Sequence, residues 1–165
     1  MKLFAIVLCL IGAVLTHAQG ALDPNIKKET PIEDPIYNIV EQMPRFPGCG
    51  DLEGDDRAKR NCAIEKLDQF IADNLQYPPN AKANKVEGYV VLSFVVAPTG
   101  RLQQVKVWRT PDPELSQEAM RLVRLMNESP EPWTAGRRRG NPVHVRFNLP
   151  INFELPASAE DEMDD

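Results

Sequence analysis

Cys49 and Cys62 are the residues whose type and spacing most directly suggest covalent chemistry in this 165-residue chain. Twelve residues lie between them, and the third cysteine, Cys9, falls in an apolar N-terminal run. An even pair in an exported chain argues for a disulfide. Closing a loop of about 14 residues stabilises a fold by roughly 3 kcal/mol in the chain-entropy picture. The rivals are a metal site and a redox pair. Two thiols without a nearby histidine leave tetrahedral zinc short of ligands, and the spacing is not C-x-x-C.

Other reactive side chains are few. His144 is the single histidine beyond residue 18, and it alternates with Val143 and Val145 at an outward strand position. No nucleophile elbow, phosphate loop or metal-ligand set accompanies it, so neither catalysis nor a cofactor is expected. Arg137-Arg138-Arg139-Gly140 reads as a basic turn, ordinarily a solvated loop. The formal charge of -5 makes an extended anionic partner such as DNA a poor fit.

These residues must be positioned by a small sheet. From Tyr89 to Val96 every residue but Ser93 is apolar, mostly β-branched or aromatic, which favours an extended chain. Ala97-Pro98-Thr99-Gly100 supplies a turn, and Leu102 to Trp108 forms the returning strand of an antiparallel hairpin at the centre of the sheet. Both faces of the first strand are apolar, with Val90, Leu92, Phe94 and Val96 on one and Tyr89, Val91 and Val95 on the other. The second face therefore calls for a cover, either the N-terminal leader or a partner.

Two helices complete the core. From Arg57, the residues Ile64, Leu67, Ile71 and Leu75, with Phe70 beside them, make one apolar stripe, which Tyr77-Pro78-Pro79 ends. Asn80 to Lys85 links to the hairpin. Asp112 is the expected N-cap of the second helix, with Pro113 at its first position and Leu115, Ala119, Leu122, Val123 and Met126 facing inward. A last strand spans Asn141 to Leu155, its inward residues Val143, Val145, Phe147 and Leu149. Pro150 assigns this strand to a sheet edge or a bulge.

The termini read differently. Lys2, the apolar run Leu3 to Leu15 and Thr16-His17-Ala18 have the pattern of a cleavable signal peptide over residues 1–18, too short to span a bilayer of about 20 apolar residues. Residues 19–43 form a proline-punctuated leader in which Ile36 to Val40 could add a short strand. The folded domain is expected over 44–155, followed by an acidic tail at 156–165 with no core pattern.

Tyr77-Pro78-x-x-Ala81, Val86-Glu87-Gly88-Tyr89-Val90 with Phe94 and Val96, Gly100-Arg101-Leu102 with Val105 and Val107, Trp133-x-x-Gly136, and Gly140-x-Pro142-Val143-x-Val145-x-Phe147 occur in that order. Together they resemble the C-terminal domain of the TonB family, over roughly Phe46 to Phe153. The resemblance implies an α+β fold, a small antiparallel or mixed sheet with two helices packed on one face, in the Gram-negative periplasm. The family couples inner-membrane proton-motive energy, through ExbB–ExbD-type partners, to TonB-dependent outer-membrane receptors. A receptor's TonB box adds as a strand to the sheet edge.

The partner-binding residues so implied are Gln76, Tyr77 and Pro78, and on the last strand His144, Arg146, Asn148, Pro150 and Asn152. The chain departs from a transducer in having a signal-like N-terminus and a leader of 25 residues, which reaches only about 80–90 Å fully extended. A periplasmic TonB-like binding protein is the expectation. The alternative is a secreted, disulfide-stabilised structural or inhibitory module.

Overall fold

The computed structural model describes residues 32–155; the signal-peptide segment, the first part of the leader and the acidic tail lie outside the described residues. The expected hairpin consists of β2 (Gly88–Val96) and β3 (Leu102–Arg109), but it does not hold the centre of the sheet, because the last strand pairs on the other side of β2 and leaves β3 at an edge. Its turn closes through Gly100 N–H to Ala97 O at 2.8 Å and Ala97 N–H to Arg101 O at 2.9 Å. Gly100 sits at φ +79°, and a Cβ there would come within 2.1 Å of Trp133 O. Glycine is required at that turn on both counts.

Around the hairpin a four-stranded sheet forms in the order β1-β6-β2-β3, where β1 is Ile36–Tyr37 and β6 is His144–Phe153. β6 runs antiparallel to β2 in unbroken register from Gly88↔Phe153 to Val96↔Val145. β1 pairs parallel to its start, Ile36 with His144 and Tyr37 with Val145. The last strand thus begins at His144, and Asn141–Pro142 belongs to a separate small hairpin: it is β5, paired with β4 (Arg137–Arg138). Arg139 and Gly140 form its two-residue loop, at φ +51° and +79°. Positive φ at both central positions is the turn whose twist suits a tight hairpin.

Three helices follow from local signals. The first, α1 (Asp56–Asn74), starts where Asp55 Oδ1 accepts the Ala58 N–H at 2.8 Å. Its buried positions are Ala63 and Leu67, with Phe70 and Ile71 half-buried against the core, whereas Ile64 is 52% exposed. Leu67, Phe70, Ile71 and Leu75 thus pack inward as expected, and Ile64 alone of the expected stripe turns outward, with Ala63 buried in its place. Where a linker was expected, Pro79 opens the short helix α2 (Pro79–Ala83), since a proline at the first helical position loses no needed donor. The third, α3 (Pro113–Glu128), is capped by Asp112, whose Oδ1 accepts the Glu114 N–H at 2.7 Å. Its five expected inward residues are all buried.

Leu67, Leu122 and Met126 join Val90, Leu92, Phe94 and Leu149 in one core between helices and sheet, as the alternating pattern requires. Trp133 closes it, packed edge-on against Phe46, Phe94 and Phe147 at centroid distances of 5.3 to 5.6 Å. Three residues on, Gly136 lies where a Cβ would be 2.5 Å from Val145 Cγ2. That close approach explains the Trp-x-x-Gly spacing.

The opposite sheet face is graded. Ser93 and Val95 are buried while Tyr89 is 57% exposed. Of the described leader residues, Ile36 and Tyr37 join the sheet edge, and Asp34 and Pro35 share a crevice with Pro98 and His144. Further along, Gln42 and Arg45 bridge to Arg137 and Thr134.

Cys49 and Cys62 are bonded, with Cα atoms 6.1 Å apart, and tie the 44–55 loop to α1. Arg45 to Asp56, at 3.0 Å, spans the same loop. Replacing Cys62 by serine is expected to lower stability by about 3 kcal/mol, the chain-entropy value for this loop length. Urea unfolding of the variant beside the oxidised and reduced protein measures it, and three coincident curves would refute the contribution.

Candidate functional site

The residues expected to bind a partner fall into two places. On β6 the odd-numbered Val145, Phe147, Leu149, Ile151 and Phe153 face the helices, so His144, Arg146, Asn148, Pro150 and Asn152 share the opposite face. Past Val145, where β1 ends, β6 has β2 on one side and, among the described residues, no strand on the other. The edge expected from Pro150 is therefore real but shorter than expected, because β1 covers its first two residues. Sequence reading placed a possible strand near Ile36 but could not give its partner.

The second edge of the sheet is β3, and it is built differently. Its register with β2 shifts twice, between Val91 and Leu92 and between Ser93 and Val95, and Gln104 takes φ +50°. Lys106, Trp108 and Arg109 are exposed along it. Bulges and charged residues are the devices that blunt an edge against added strands. The edge of β6 has an uninterrupted register.

Gln76, Tyr77 and Pro78 lie on the helix side, lining a cleft with Asn80, Glu118 and Arg121. Gln76 N–H donates to Glu118 Oε1 at 2.7 Å, and Arg121 grips Glu118 through Nε at 2.7 Å while also donating to Asn74 O. Glu118 is only 8% exposed, and its hydrogen bond holds the Arg121 guanidinium firmly charged. This network fastens the end of α1 to α3. A Glu and an Arg three apart look like any solvated helix pair, so no sequence signal marked it.

Tyr77 connects the two places. Its hydroxyl donates to Val86 O, and its ring stands edge-on to Phe153, the last residue of β6, at 5.8 Å. Burial, and after it the charge of Glu87, raises the phenol above its ordinary value of 10.0. The folded state thus resists ionisation of Tyr77 more than the unfolded chain does. Its stabilising contribution is whole below pH of about 10 and is lost as pH rises through the folded value. Stability of the wild type is expected to fall more steeply above that pH than stability of Tyr77→Phe. Urea midpoints measured from pH 9 upward check this, and parallel curves would contradict it.

An α+β domain that presents main-chain groups along one free strand, with a side-chain network spent on fastening its helices, belongs to the class of protein-interaction domains. Residues 73–155, half of the chain, match the Gram-negative bacterial TonB protein C-terminal family, and the chain belongs to that family. An NMR solution structure of the Helicobacter pylori TonB C-terminal domain is similar to it at 16% identity and a TM-score of 0.44, covering 68% of this chain and 98% of that one. A second, shorter NMR structure of the same domain shows 21% identity and a TM-score of 0.42, with 58% and 96% covered. No match is found among curated proteins. Membership carries a TonB-like, non-enzymatic role in transport and disfavours the structural or inhibitory module. Among the described residues no helix is long and apolar enough to cross a membrane.

Proposed function

We propose that this protein is an exported TonB-like binder that takes an extended segment of an outer-membrane receptor as an added strand on β6. The observation that carries the reading is the contrast between the sheet's two edges: β3 is bulged and charged, whereas β6 continues in regular register past the end of β1. Main-chain hydrogen bonds from the stretch between Val145 and Pro150 supply affinity, and side chains on either face of the edge supply selectivity. Arg146, Asn148, Pro150 and Asn152 flank the added strand, His144 stands beside β1, and Tyr77 sets the far end of the groove through Phe153. In this reading the signal segment is cleaved near Ala18 and the protein works in the periplasm.

Calorimetric titration with TonB-box peptides from receptors of the same cell tests it. Unmodified peptides should bind, and peptides N-methylated at alternate amides should not, since methylation removes the donors that pair with β6. Equal affinity for both forms, or none for either, would defeat the reading. Tyr77→Ala is expected to weaken binding about tenfold or less, because Tyr77 acts through Phe153 and not through the paired main chain.

A further inference from the structure

We propose that the sheet face turned away from the helices docks this chain's own acidic segment, residues 160–165, whose carboxylates pair with Lys106 and Arg109. That segment lies outside the described residues. Its docking does not depend on strand addition at β6.

Partners in register share a face, so the open face carries Tyr89, Val91, Ser93 and Val95 of β2 and the even-numbered residues of β6. From β3 it carries Lys106, opposite Ser93, and Arg109, opposite Val91. Val107 pairs with Leu92 and faces the helices, so Trp108, the extra residue of the bulge, alternates to the open face. No strand position on this face holds an acid, although the formal charge of the protein is -5. Among the described residues the ion pairs are Arg45–Asp56, Arg60–Asp56 and Arg121–Glu118, which leaves Lys106 and Arg109 without a carboxylate there.

The face is apolar where it is uncovered. Ser93 and Val95 are buried, whereas Tyr89 is 57% and Trp108 79% exposed. The exposed rings therefore lie toward the end of the sheet where β6 finishes. From that same end the chain leaves, with Glu87, the residue before β2, accepting the Leu155 N–H. Two exposed aromatic rings beside two cations suit an acidic segment with an apolar member, and Met163 stands among the acids.

Length and charge order select this occupant. Glu87 and Glu154 stand at the near end, and the segment passes them with the uncharged Pro156-Ala157-Ser158-Ala159, whose proline favours a reversal of direction. The five acids Glu160, Asp161, Glu162, Asp164 and Asp165 follow. Six extended residues cover about 20 Å. The rows of Arg109 and Lys106, at Val91 and Ser93, lie about 13 and about 20 Å from Glu87 along β2 at ~3.3 Å per residue. Arg146, in the row of Val95 at about 26 Å on the same rise, falls beyond the segment. Opposite charges thus meet at the two nearer rows, and like charges are kept apart at the near end.

Acrylamide quenching of Trp108 in the whole protein tests the docking, because Trp133 is only 3% exposed and a Trp108→Phe chain supplies its background. At low salt Trp108 should be quenched about twofold less readily in the wild type than in a variant carrying E160Q, D161N, E162Q, D164N and D165N, and high salt should erase the difference. These five changes touch no described residue, so both chains should melt at the same temperature. Lys106→Gln combined with Arg109→Gln should also remove the protection, while Arg146→Gln keeps it. Equal quenching of the wild type and the amide variant at low salt would overturn the proposal. So would protection that survives in the Lys106→Gln, Arg109→Gln chain, or that is lost with Arg146→Gln, since the segment would then lie elsewhere. Protection that disappears on dilution would assign the contact to a second copy, and this also overturns it.

Discussion

Phe94→Ala is expected to destabilise the domain by about 3–5 kcal/mol, the cost of removing an aromatic side chain from a close-packed core. Phe94 is fully buried, stacked on Phe147 across the β2–β6 register at 5.6 Å and met edge-on by Trp133 at 5.6 Å. Each such pair contributes roughly 0.5–1.5 kcal/mol beyond the area it buries, so the loss combines a cavity with two broken ring contacts. Refilling is hampered because Trp133 is held from the other side by Phe46 and its backbone is pinned to Gly100 by the 3.2 Å bond from Trp133 N–H. Urea unfolding should show a lowered midpoint with an unchanged slope. A midpoint equal to the wild type would mean that this ring cluster does not hold the helices to the sheet.

The larger functional effect is expected from Asn148→Pro, which should abolish measurable peptide binding in a domain that still folds. Pro150 provides the reasoning. The β2–β6 register runs past Val91↔Pro150 without a shift, and a proline fits an unbroken ladder where its nitrogen faces away from the partner strand. Main-chain direction alternates along a strand, so Asn148 presents its N–H on the same free side as Pro150. Pro150 already closes the free side at its own position, so pairing is confined to the stretch before it; proline at 148 removes the donor in that stretch and places ring carbons where the added strand must approach. Removal of a main-chain donor and steric exclusion together should exceed the change from any single side chain at this edge, Arg146→Ala included. Circular dichroism establishes that the variant is folded, and calorimetry reads the loss. Full affinity in the folded variant would rule out pairing along β6.

The β2–β3 hairpin, though not its place in the sheet, the Asp112 cap, the inward stripe of α3 and the Cys49–Cys62 bond were legible because each is written within a few turns of chain. A run of alternating apolar residues, a cap before a proline, and a pair of cysteines behind a signal-like N-terminus act locally, so their signals survive without knowledge of the fold. The same holds for Pro150 as the mark of a free edge. Other features depended on contacts that residue types do not announce. On α1 one expected position departs: Ile64 is exposed and its neighbour Ala63 is buried, a choice between adjacent residues that the apolar stripe alone does not make.

Where the free edge begins was decided by the pairing of Ile36–Tyr37 with His144–Val145. Main-chain hydrogen bonds make that contact between distant segments, and such bonds leave no side-chain signature. The triple arginine read from sequence as a solvated turn. Only the fold set Arg138 on Tyr37 and put Arg139 at a positive φ. Local pattern determined which elements form and which faces they bury. Tertiary packing decided which strand was left open and which charges stand beside it, since both depend on long-range pairing that the chain achieves only once it is folded.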